Sequence, residues 1–295
     1  MIDGGSEMKS FTKAIRILLP LSMFIGSAAQ AAPALWVVSD TDSTVYLFGT
    51  QHALPAGMNW RTSRLDAAMR ASATLWLEAE SNSGGAGAIV QQRGLDPANP
   101  LETKLSPAQK TKLDAVLVHY GVPAAKFAPM RPWLAAMTLA QLPLTKAGLD
   151  AKNGADLTLK ALAEEQSKPI EGFETMAQQV GYLADLPEAD QIAFLEDVIN
   201  RAARGVQLPT MIAAAWQAGD IAALETIVNV ELKQRSPRLY TRLVSERNVR
   251  YAARIQQLLA GNKDQFVAVG VGHLVGTESI QVALARKGLK VRRIE

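Results

Sequence analysis

The sequence predicts an α/β fold, with a central mixed sheet and a large helical insertion. Residues 45–52 and residues 266–273 each have the pattern of an apolar strand followed by a Gly-x-x-His turn. Each of these segments is followed by a helical stretch and then by another short strand. Apolar residues recur mostly at helical spacing between the two units, over about residues 100–262. Two strand-GxxH-helix-strand units of this kind predict a sheet with helices on its faces.

The first unit begins with a predicted hairpin. Residues 35–38 and 44–48 are apolar strand segments, and the stretch between them is polar and rich in turn-forming residues. Residues 61–71 carry apolar side chains at helical spacing. Residues 74–77 then form a short apolar segment, predicted to be a buried strand that ends at Glu78.

The middle of the chain is predicted to be helical, with boundaries marked by capping residues and glycine. Ser106, followed by proline, begins a helix that ends near Gly121. Asp156 and Glu174 are predicted to stabilise helix starts, and residues 169–171 form a short strand. The remaining helices are predicted over residues 132–142, 156–165, 187–204, 207–230 and 237–259, with one more from 174. The last unit is predicted as a strand, a helix and a strand, over residues 266–269, 278–286 and 291–294.

The N-terminal segment predicts export. A basic stretch at residues 8–16 precedes an apolar run over residues 17–29, and the run ends in Ala29-Gln30-Ala31. These features are typical of a secretory signal peptide over residues 1–31, and the run is short for a membrane span. We therefore expect cleavage after Ala31 and a periplasmic protein without a membrane span. Residues 32–295 are expected to form a single domain.

Composition excludes several functional classes. The 295-residue chain contains no cysteine, so disulfides, thiol catalysis and thiolate-bound metals are excluded. Its formal net charge is +3, and it has no dense Lys/Arg run of the kind that favours nucleic acid as a partner. The sequence also has no Gly-x-Ser-x-Gly, phosphate-binding or His-Glu-x-x-His motif. Serine hydrolases, nucleotide enzymes and ordinary zincins are therefore disfavoured.

Two of the three histidines follow glycines at the ends of apolar strands. His52 lies three residues after Gly49, and His273 lies three residues after Gly270. Glycine permits a tight turn, and histidine can act as an acid, a base or a metal ligand. Both histidines are expected beyond the carboxyl ends of strands, where open sheets bind ligands. His119 lies in the last turn of a predicted helix, and its expected role is structural.

A carboxylate and a buried arginine are expected near these histidines. Glu78 ends the strand of the first unit, and Glu80 shares its face if the strand continues. We favour Glu78 because it lies nearer the apolar run, and the choice between the two stays open. Arg247 and Asn248 fall on the apolar stripe of the helix predicted over residues 237–259. An arginine there either pairs with one of these acids or a substrate, or extends to the rim of the helix.

Several short segments together resemble a known family. They are residues 43–52, 75–78, 131–133, 154–156, 172–175, 246–248 and 269–276. In combination they resemble the TraB/PrgY/GumN family, which is related to the animal Tiki proteins and to the erythromycin esterase and ChaN-like group. The resemblance implies a compact α/β fold with a helical insertion. Animal Tiki members are described as metal-dependent peptidases, PrgY-like members restrain peptide pheromones, and the esterase relatives hydrolyse without an evident metal.

The resemblance implies a metal-dependent hydrolase that acts on a peptide or protein substrate, and the signal-like N-terminus predicts that it is periplasmic. His52, Glu78 and His273 would bind a divalent ion such as manganese, cobalt or zinc, or would activate water. Arg247 would stabilise the oxyanion, and Asn248 would orient a ligand or substrate group. Two alternatives stay open: a protein that binds a peptide or a polysaccharide-related ligand without turnover, and a metal-free esterase that uses the same residues.

Overall fold

The computed structural model describes Met1 and residues 31–79 and 85–295. The body of the predicted signal peptide, residues 2–30, and the alternative carboxylate Glu80 lie outside the described residues. No helix in the described part of the chain is long and apolar enough to cross a membrane.

A six-stranded mixed sheet forms the centre of the fold, and this confirms the predicted α/β class. Its strands are β1 (Leu35–Ser39), β2 (Thr44–Thr50), β4 (Thr74–Ala79), β6 (Ile170–Glu174), β7 (Gln265–Gly270) and β8 (Val291–Arg293), and a separate pair is formed by β3 (Leu54–Pro55) and β5 (Leu149–Asp150). The order in the sheet is β6-β4-β7-β2-β1-β8. The first four strands in this order are parallel, whereas β1 is antiparallel to both of its neighbours.

The register of β2 against β7 places the two Gly-x-x-His turns side by side. Gly49 is the partner of Val269, and Thr50 is the partner of Gly270. Since the strands are parallel and adjacent, both turns leave the sheet at the same edge. The structure thus brings together two motifs that are more than 200 residues apart in the sequence.

Helices cover both faces of the sheet. They are α1 (Ser63–Ala71), α2 (Ala86–Gly94), α3 (Leu101–Lys104), α4 (Pro107–Tyr120), α5 (Pro132–Lys146), α6 (Ala155–Glu165), α7 (Met176–Ala184), α8 (Glu188–Ala202), α9 (Gln207–Gln217), α10 (Ile221–Leu224), α11 (Glu231–Arg235), α12 (Pro237–Tyr240), α13 (Glu246–Leu259) and α14 (Ile280–Ala285). Two π-helical turns, Glu225–Val230 and Thr241–Ser245, join α10 to α11 and α12 to α13. A turn of this type is frequent near functional sites.

The strands are apolar on both sides because both faces are buried. One face packs against α1, α6 and α9 through Leu65, Leu159 and Trp216. The other face packs against α13 and α14 through Tyr251 and Leu284. A third apolar cluster joins α4, α5 and α8 within the helical region. The packing of α13 across the sheet directs its first turn towards the edge with the two histidine turns.

Capping explains several boundaries, and it corrects two predictions. Ser106 forms the expected capping box at the start of α4, and Gly121 ends that helix with a φ of 68°. Asp156 was predicted as a cap, but α6 begins at Ala155, and Asp156 lies inside its first turn. Glu174 was predicted to begin a helix, but it is the last residue of β6, and the following threonine caps α7.

The helical region includes the short strand predicted at residues 169–171, and it differs from its prediction in the end of one helix. The strand is β6, which lies beside β4 at one end of the sheet order, so the insertion contributes a strand to the central sheet. Helix α5 was predicted to end near Leu142, before a proline, but it continues through Pro143 to Lys146. Pro143 is buried within the helix. Because proline has no backbone N–H, the helix lacks one hydrogen bond at this position.

Candidate functional site

The first turn is joined by its backbone to the start of α6. The Ala155 N–H donates to the Gln51 carbonyl at 2.9 Å. A Cβ atom at Gly154 would lie 2.5 Å from the His52 carbonyl oxygen, so only glycine permits this approach. The contact brings Asp156 to His52, with 3.4 Å between Asp156 Oδ2 and His52 Nδ1.

His52 is the accessible histidine of the site, with 66% of its side chain exposed. Hydrogen bonding to Asp156 raises the pKa of His52 to about 9, and the charge of Glu78 raises it further against the opposing effects of burial and of Arg247. Asp156 therefore both orients the imidazole and stabilises its protonated form.

The second turn holds His273 in a buried position. His273 Nδ1 lies 2.6 Å from Asn248 Oδ1, and Asn248 Nδ2 donates to the Glu278 carbonyl at 2.7 Å. The amide of Asn248 is therefore oriented with its oxygen towards the imidazole, and His273 Nδ1 is the donor. His273 Nε2 lies 3.1 Å from Arg247 Nη1, a group that can only donate. These partners indicate that Nδ1 carries a proton and donates to Asn248, whereas Nε2 faces the donors of Arg247.

Arg247 forms a buried network with two acids. Its Nε and Nη2 donate to the two oxygens of Glu174 at 2.9 and 2.8 Å, a bidentate pair. Its Nη2 also donates to Glu78 Oε2 at 2.6 Å, and its Nη1 donates to the Leu243 carbonyl at 3.1 Å. Among the partners expected for Arg247, the structure shows Glu78, and it adds Glu174, which was not expected. With the contact to His273, every nitrogen of the guanidinium has a partner within the protein.

Both carboxylate oxygens of Glu78 accept hydrogen bonds from the protein. Oε1 accepts the Gly270 N–H at 2.6 Å, and Oε2 accepts from Arg247. Burial alone raises the pKa of Glu78, but the imidazole of His273 and the charges of Arg247 and His52 together keep it well below its usual range. Glu78 is therefore an ionised carboxylate in a largely enclosed position.

The side chains of Glu78 and His52 both lie close to Gly270. A Cβ atom at this position would lie 2.9 Å from Glu78 Oε1 and 3.5 Å from His52 Nε2. A side chain at this position would displace Glu78 and approach the imidazole. A Cβ atom at Gly49 would similarly lie 3.0 Å from the side chain of Val271. The expected need for a special turn conformation is not met, because neither Gly49 nor Gly270 has a positive φ, and the glycines are needed for close packing.

A cavity of about 220 Å³ opens beside these groups. Its polar lining consists of Thr50, His52, Glu78, Asp156, Lys160 and Gln179. Thr50 is 1% exposed, and within the described ranges its Oγ1 has no hydrogen-bond partner. Oδ1 of Asp156 likewise has no partner among the residues described. The cavity thus combines an accessible imidazole, a carboxylate and an uncommitted hydroxyl group.

A family model provides the comparison with known proteins. The model of the TraB/PrgY/gumN family matches residues 34–293, which include all eight strands and both histidine turns. The chain belongs to the TraB/PrgY/gumN family. No curated protein and no solved structure matches the chain. The match confirms the resemblance that the short segments predicted.

In this TraB/PrgY/gumN member the residues expected to bind a metal are engaged by other protein groups. No group of three or more metal-binding side chains that could hold an ion is present among residues 31–79 and 85–295. His273 Nε2 faces the Arg247 guanidinium, and both oxygens of Glu78 accept hydrogen bonds from the protein. An ion bound jointly by these two residues and His52 would lie against a fixed positive charge.

All five residues implied by the family resemblance come together at one edge of the sheet. Asn248 is fully buried and orients His273, one of the residues expected to bind the ion, and it does not line the cavity. His119 lies elsewhere, exposed on α4, 3.1 Å from Lys146 Nζ.

The sequence interpretation missed two acids of the site, Asp156 and Glu174. A buried arginine needs an acidic partner, and that requirement was a usable signal for Glu174. The Gly154-Ala155-Asp156 segment matches the family pattern, but its sequence does not indicate that Asp156 contacts His52.

Proposed function

We propose that this protein is a periplasmic hydrolase that cleaves a peptide or amide bond, with His52 and Glu78 at the centre of its site. The observation that carries the proposal is the convergence of His52 Nε2 and Glu78 Oε1 on Gly270, beside one cavity. An acid–base histidine supported by a carboxylate is a common arrangement for activating water. Here Asp156 is the supporting carboxylate.

In the proposed reaction His52 is the acid–base group. Its neutral form takes a proton from water as the water oxygen attacks the carbonyl carbon. The resulting imidazolium then gives the proton to the leaving nitrogen, so no proton is gained or lost overall. Asp156 and Glu78 stabilise the imidazolium, because both carboxylates favour the charged form of His52.

Arg247 and Asn248 take positioning roles in this proposal. The nitrogens of Arg247 are occupied by Glu78, Glu174, His273 and a backbone carbonyl, which leaves the guanidinium poorly suited to bind an oxyanion. Its effect on the reaction is to keep Glu78 ionised and in place. The hydroxyl group of Thr50 is the better candidate for a donor to the substrate carbonyl, since it lines the cavity and has no partner among the described residues.

Substitution of the two central residues tests the proposal. Turnover of a peptide and ester library by His52→Ala and Glu78→Gln would be compared with turnover by the unmodified protein. We expect losses of at least about 100-fold, the usual contribution of an acid–base group. His119→Ala is the matched control, since that histidine lies outside the site, and it should keep full activity. Unchanged turnover in His52→Ala would overturn the mechanism, and ligand binding without any turnover would favour a binding protein.

A divalent ion on His52, Glu78 and His273 stays a separate prediction from the family resemblance. Metal content would be measured after reconstitution with manganese, cobalt and zinc, in the unmodified protein and in His52→Ala and His273→Ala. Near-stoichiometric metal that is lost in both variants would replace the metal-free mechanism with a metallohydrolase. Activity that persists in a metal-free preparation would support the mechanism proposed above.

Export is proposed from the signal-like composition of residues 8–31. We expect the protein recovered from the periplasm to begin at Ala32. N-terminal sequencing of that fraction checks this point, and recovery of an uncleaved cytoplasmic chain would contradict it.

A further inference from the structure

A second cavity, of about 330 Å³, lies within the helical region. We refer to it as the helical cavity. Its walls come from α5, α8, α9 and the segments around the two π-helical turns. Its lining is mainly apolar and includes Ala140, Leu144, Phe194, Leu208, Ile212 and Leu232.

The helical cavity adjoins the candidate active site through the first histidine turn. Gln51 lines the helical cavity, whereas Thr50 and His52, its neighbours in the chain, line the catalytic cavity. A single turn of backbone therefore contributes to the walls of both spaces.

The second turn and Arg247 contact residues that line the helical cavity. Val228 lines it, and a Cβ atom at Gly272 would lie 3.3 Å from Val228 Cγ1. Leu243 lines it as well, and the carbonyl of Leu243 accepts from Arg247 Nη1 at 3.1 Å. The apolar space thus touches the same framework that positions Glu78.

Two charged residues, Asp197 and Arg201, line the helical cavity and form ion pairs. Asp197 accepts from Arg201 Nε at 2.9 Å and from Arg235 Nη1, outside the lining, at 2.9 Å. Nη2 of Arg201 lies 3.9 Å from Glu231 Oε2 and has no hydrogen-bond partner among the described residues. The ion pairs reduce the attraction of this wall for a ligand ion, although one guanidinium nitrogen is left without a hydrogen bond. The volume falls in the range of about 300–1,000 Å³ that is typical of mainly apolar small-molecule pockets. Size and lining therefore favour an uncharged hydrocarbon group.

We propose that the helical cavity binds an uncharged hydrocarbon group of the molecule whose acyl bond is presented to His52. The link between this group and the reacting bond rests on the proposed hydrolase function, whereas binding of the group itself does not. The hydrocarbon belongs either to an acyl chain or to an apolar amino-acid side chain, and both sources have the same chemistry. The substrate class is accordingly an acyl or peptidyl compound with an apolar group next to the cleaved bond.

Binding of hydrocarbon probes of increasing length tests the proposal without requiring turnover. Titration calorimetry with butanoate, hexanoate, octanoate and decanoate covers the acyl source, and the N-acetyl amides of alanine, leucine and phenylalanine cover the side-chain source. Each methylene that enters the cavity should tighten binding about fourfold until the cavity is full. Affinity that does not change with length in either series would overturn the proposal.

Filling variants show where the probes bind. Ala140→Phe projects a ring into the helical cavity and should abolish the length dependence. Thr145→Phe, on an exposed position of the same helix, is the matched control and should retain it. Leu208→Trp, in α9, also reduces the volume of the helical cavity. It replaces Ala140→Phe in this test if that variant does not fold. Length dependence that survives in the folded filling variants would place the probes elsewhere and overturn the proposal.

Turnover of p-nitrophenyl acetate and p-nitrophenyl decanoate separates this inference from the proposed function. Length-dependent binding that the filling variants abolish, without turnover of either ester, would support the cavity and remove the hydrolase. Turnover of both esters at equal efficiency, with length-independent binding, would retain the hydrolase and overturn the role of the cavity. A preference for the decanoyl ester that disappears in Ala140→Phe would support both.

Discussion

Arg247 and Glu78 form a buried ion pair in which Arg247 Nη2 lies 2.6 Å from Glu78 Oε2, with the two side chains only 8% and 15% exposed. The pair joins the first turn of α13 to the carboxyl end of β4. Because Glu78 also accepts from the Gly270 backbone, the pair connects α13 to two adjacent strands of the central sheet, β4 and β7. The ion pair is therefore part of the fold as well as part of the site.

Removing the charge of Arg247 should strongly destabilise the protein. Arg247→Met leaves Glu78 and Glu174 buried without a counter-ion, and breaking a buried pair in this way costs about 3–5 kcal/mol. Urea unfolding would measure the loss. Arg250→Met is the control, because Arg250 is half exposed and lies 4.0 Å from Glu174, and exposed pairs contribute at most about 1 kcal/mol. Equal losses in the two variants would contradict the central role of Arg247.

The pH dependence of turnover should report the pKa of His52. A general base is active when it is deprotonated, so turnover rises with pH through the pKa of His52, which Asp156 raises to about 9. Asp156→Asn removes the largest cause of that increase. The rising limb of the pH–rate profile should therefore move to lower pH in this variant, and a nuclear magnetic resonance titration of His52 should move with it. If the rising limb does not move in Asp156→Asn, it reports the titration of a group other than His52.

The sequence was sufficient to predict the parts of the site that follow from strand ends and helix faces. Gly49 and His52, like the second glycine and histidine, lie at positions where a strand must turn, so their approach to the sheet edge could be foreseen. The apolar stripe of α13 likewise required a partner for Arg247. These arguments use only the spacing of apolar residues within a single strand or helix, and the strands and helices of the structure agree with that spacing.

The acids that the sequence interpretation missed depend on long-range register. Glu174 reaches Arg247 because β6 pairs with β4, with Glu174 opposite Ala79, and this pairing joins segments about 95 residues apart in the chain. Asp156 reaches His52 because the Ala155 N–H binds the Gln51 carbonyl. A carboxylate at a predicted helix start is explained by its favourable interaction with the helix dipole. This local explanation is sufficient by itself, so the sequence does not indicate that Asp156 contacts His52 or that Glu174 contacts Arg247.

The tautomer of His273 should depend on Asn248. Asn248 Oδ1 accepts from His273 Nδ1, and the amide is fixed by its own bond to the Glu278 carbonyl. Nitrogen-15 chemical shifts should therefore show a protonated Nδ1 and an unprotonated Nε2 in the unmodified protein. Asn248→Leu removes the acceptor, so the Nδ1 signal should change and turnover should fall although Asn248 is fully buried. A protonated Nε2 in the unmodified protein would contradict the arrangement.

Gly270→Ala should impair the site without preventing folding. The backbone of Gly270, with φ −51° and ψ 136°, is available to alanine, so the effect comes from the new Cβ, which would lie 2.9 Å from Glu78 Oε1. We expect a stability loss of about 1–3 kcal/mol, as for other overpacked positions, together with loss of turnover. Gly87→Ala is the control, since its added Cβ meets nothing within 4 Å. Full activity in Gly270→Ala would show that Glu78 can shift without consequence.

Thr50→Val should separate catalysis from stability. The hydroxyl group of Thr50 is buried and has no partner within the described part of the chain. An unpaired buried polar group costs about 1–3 kcal/mol, so valine, which has nearly the same shape, should leave stability unchanged or increase it. Turnover should fall by at least about tenfold, because the loss of one hydrogen bond to the reacting group costs roughly 1.4 kcal/mol or more. Denaturant unfolding and steady-state kinetics on the same preparation measure both effects. A variant that is less stable but equally active would assign the hydroxyl group to the fold, and would remove Thr50 from the proposed reaction.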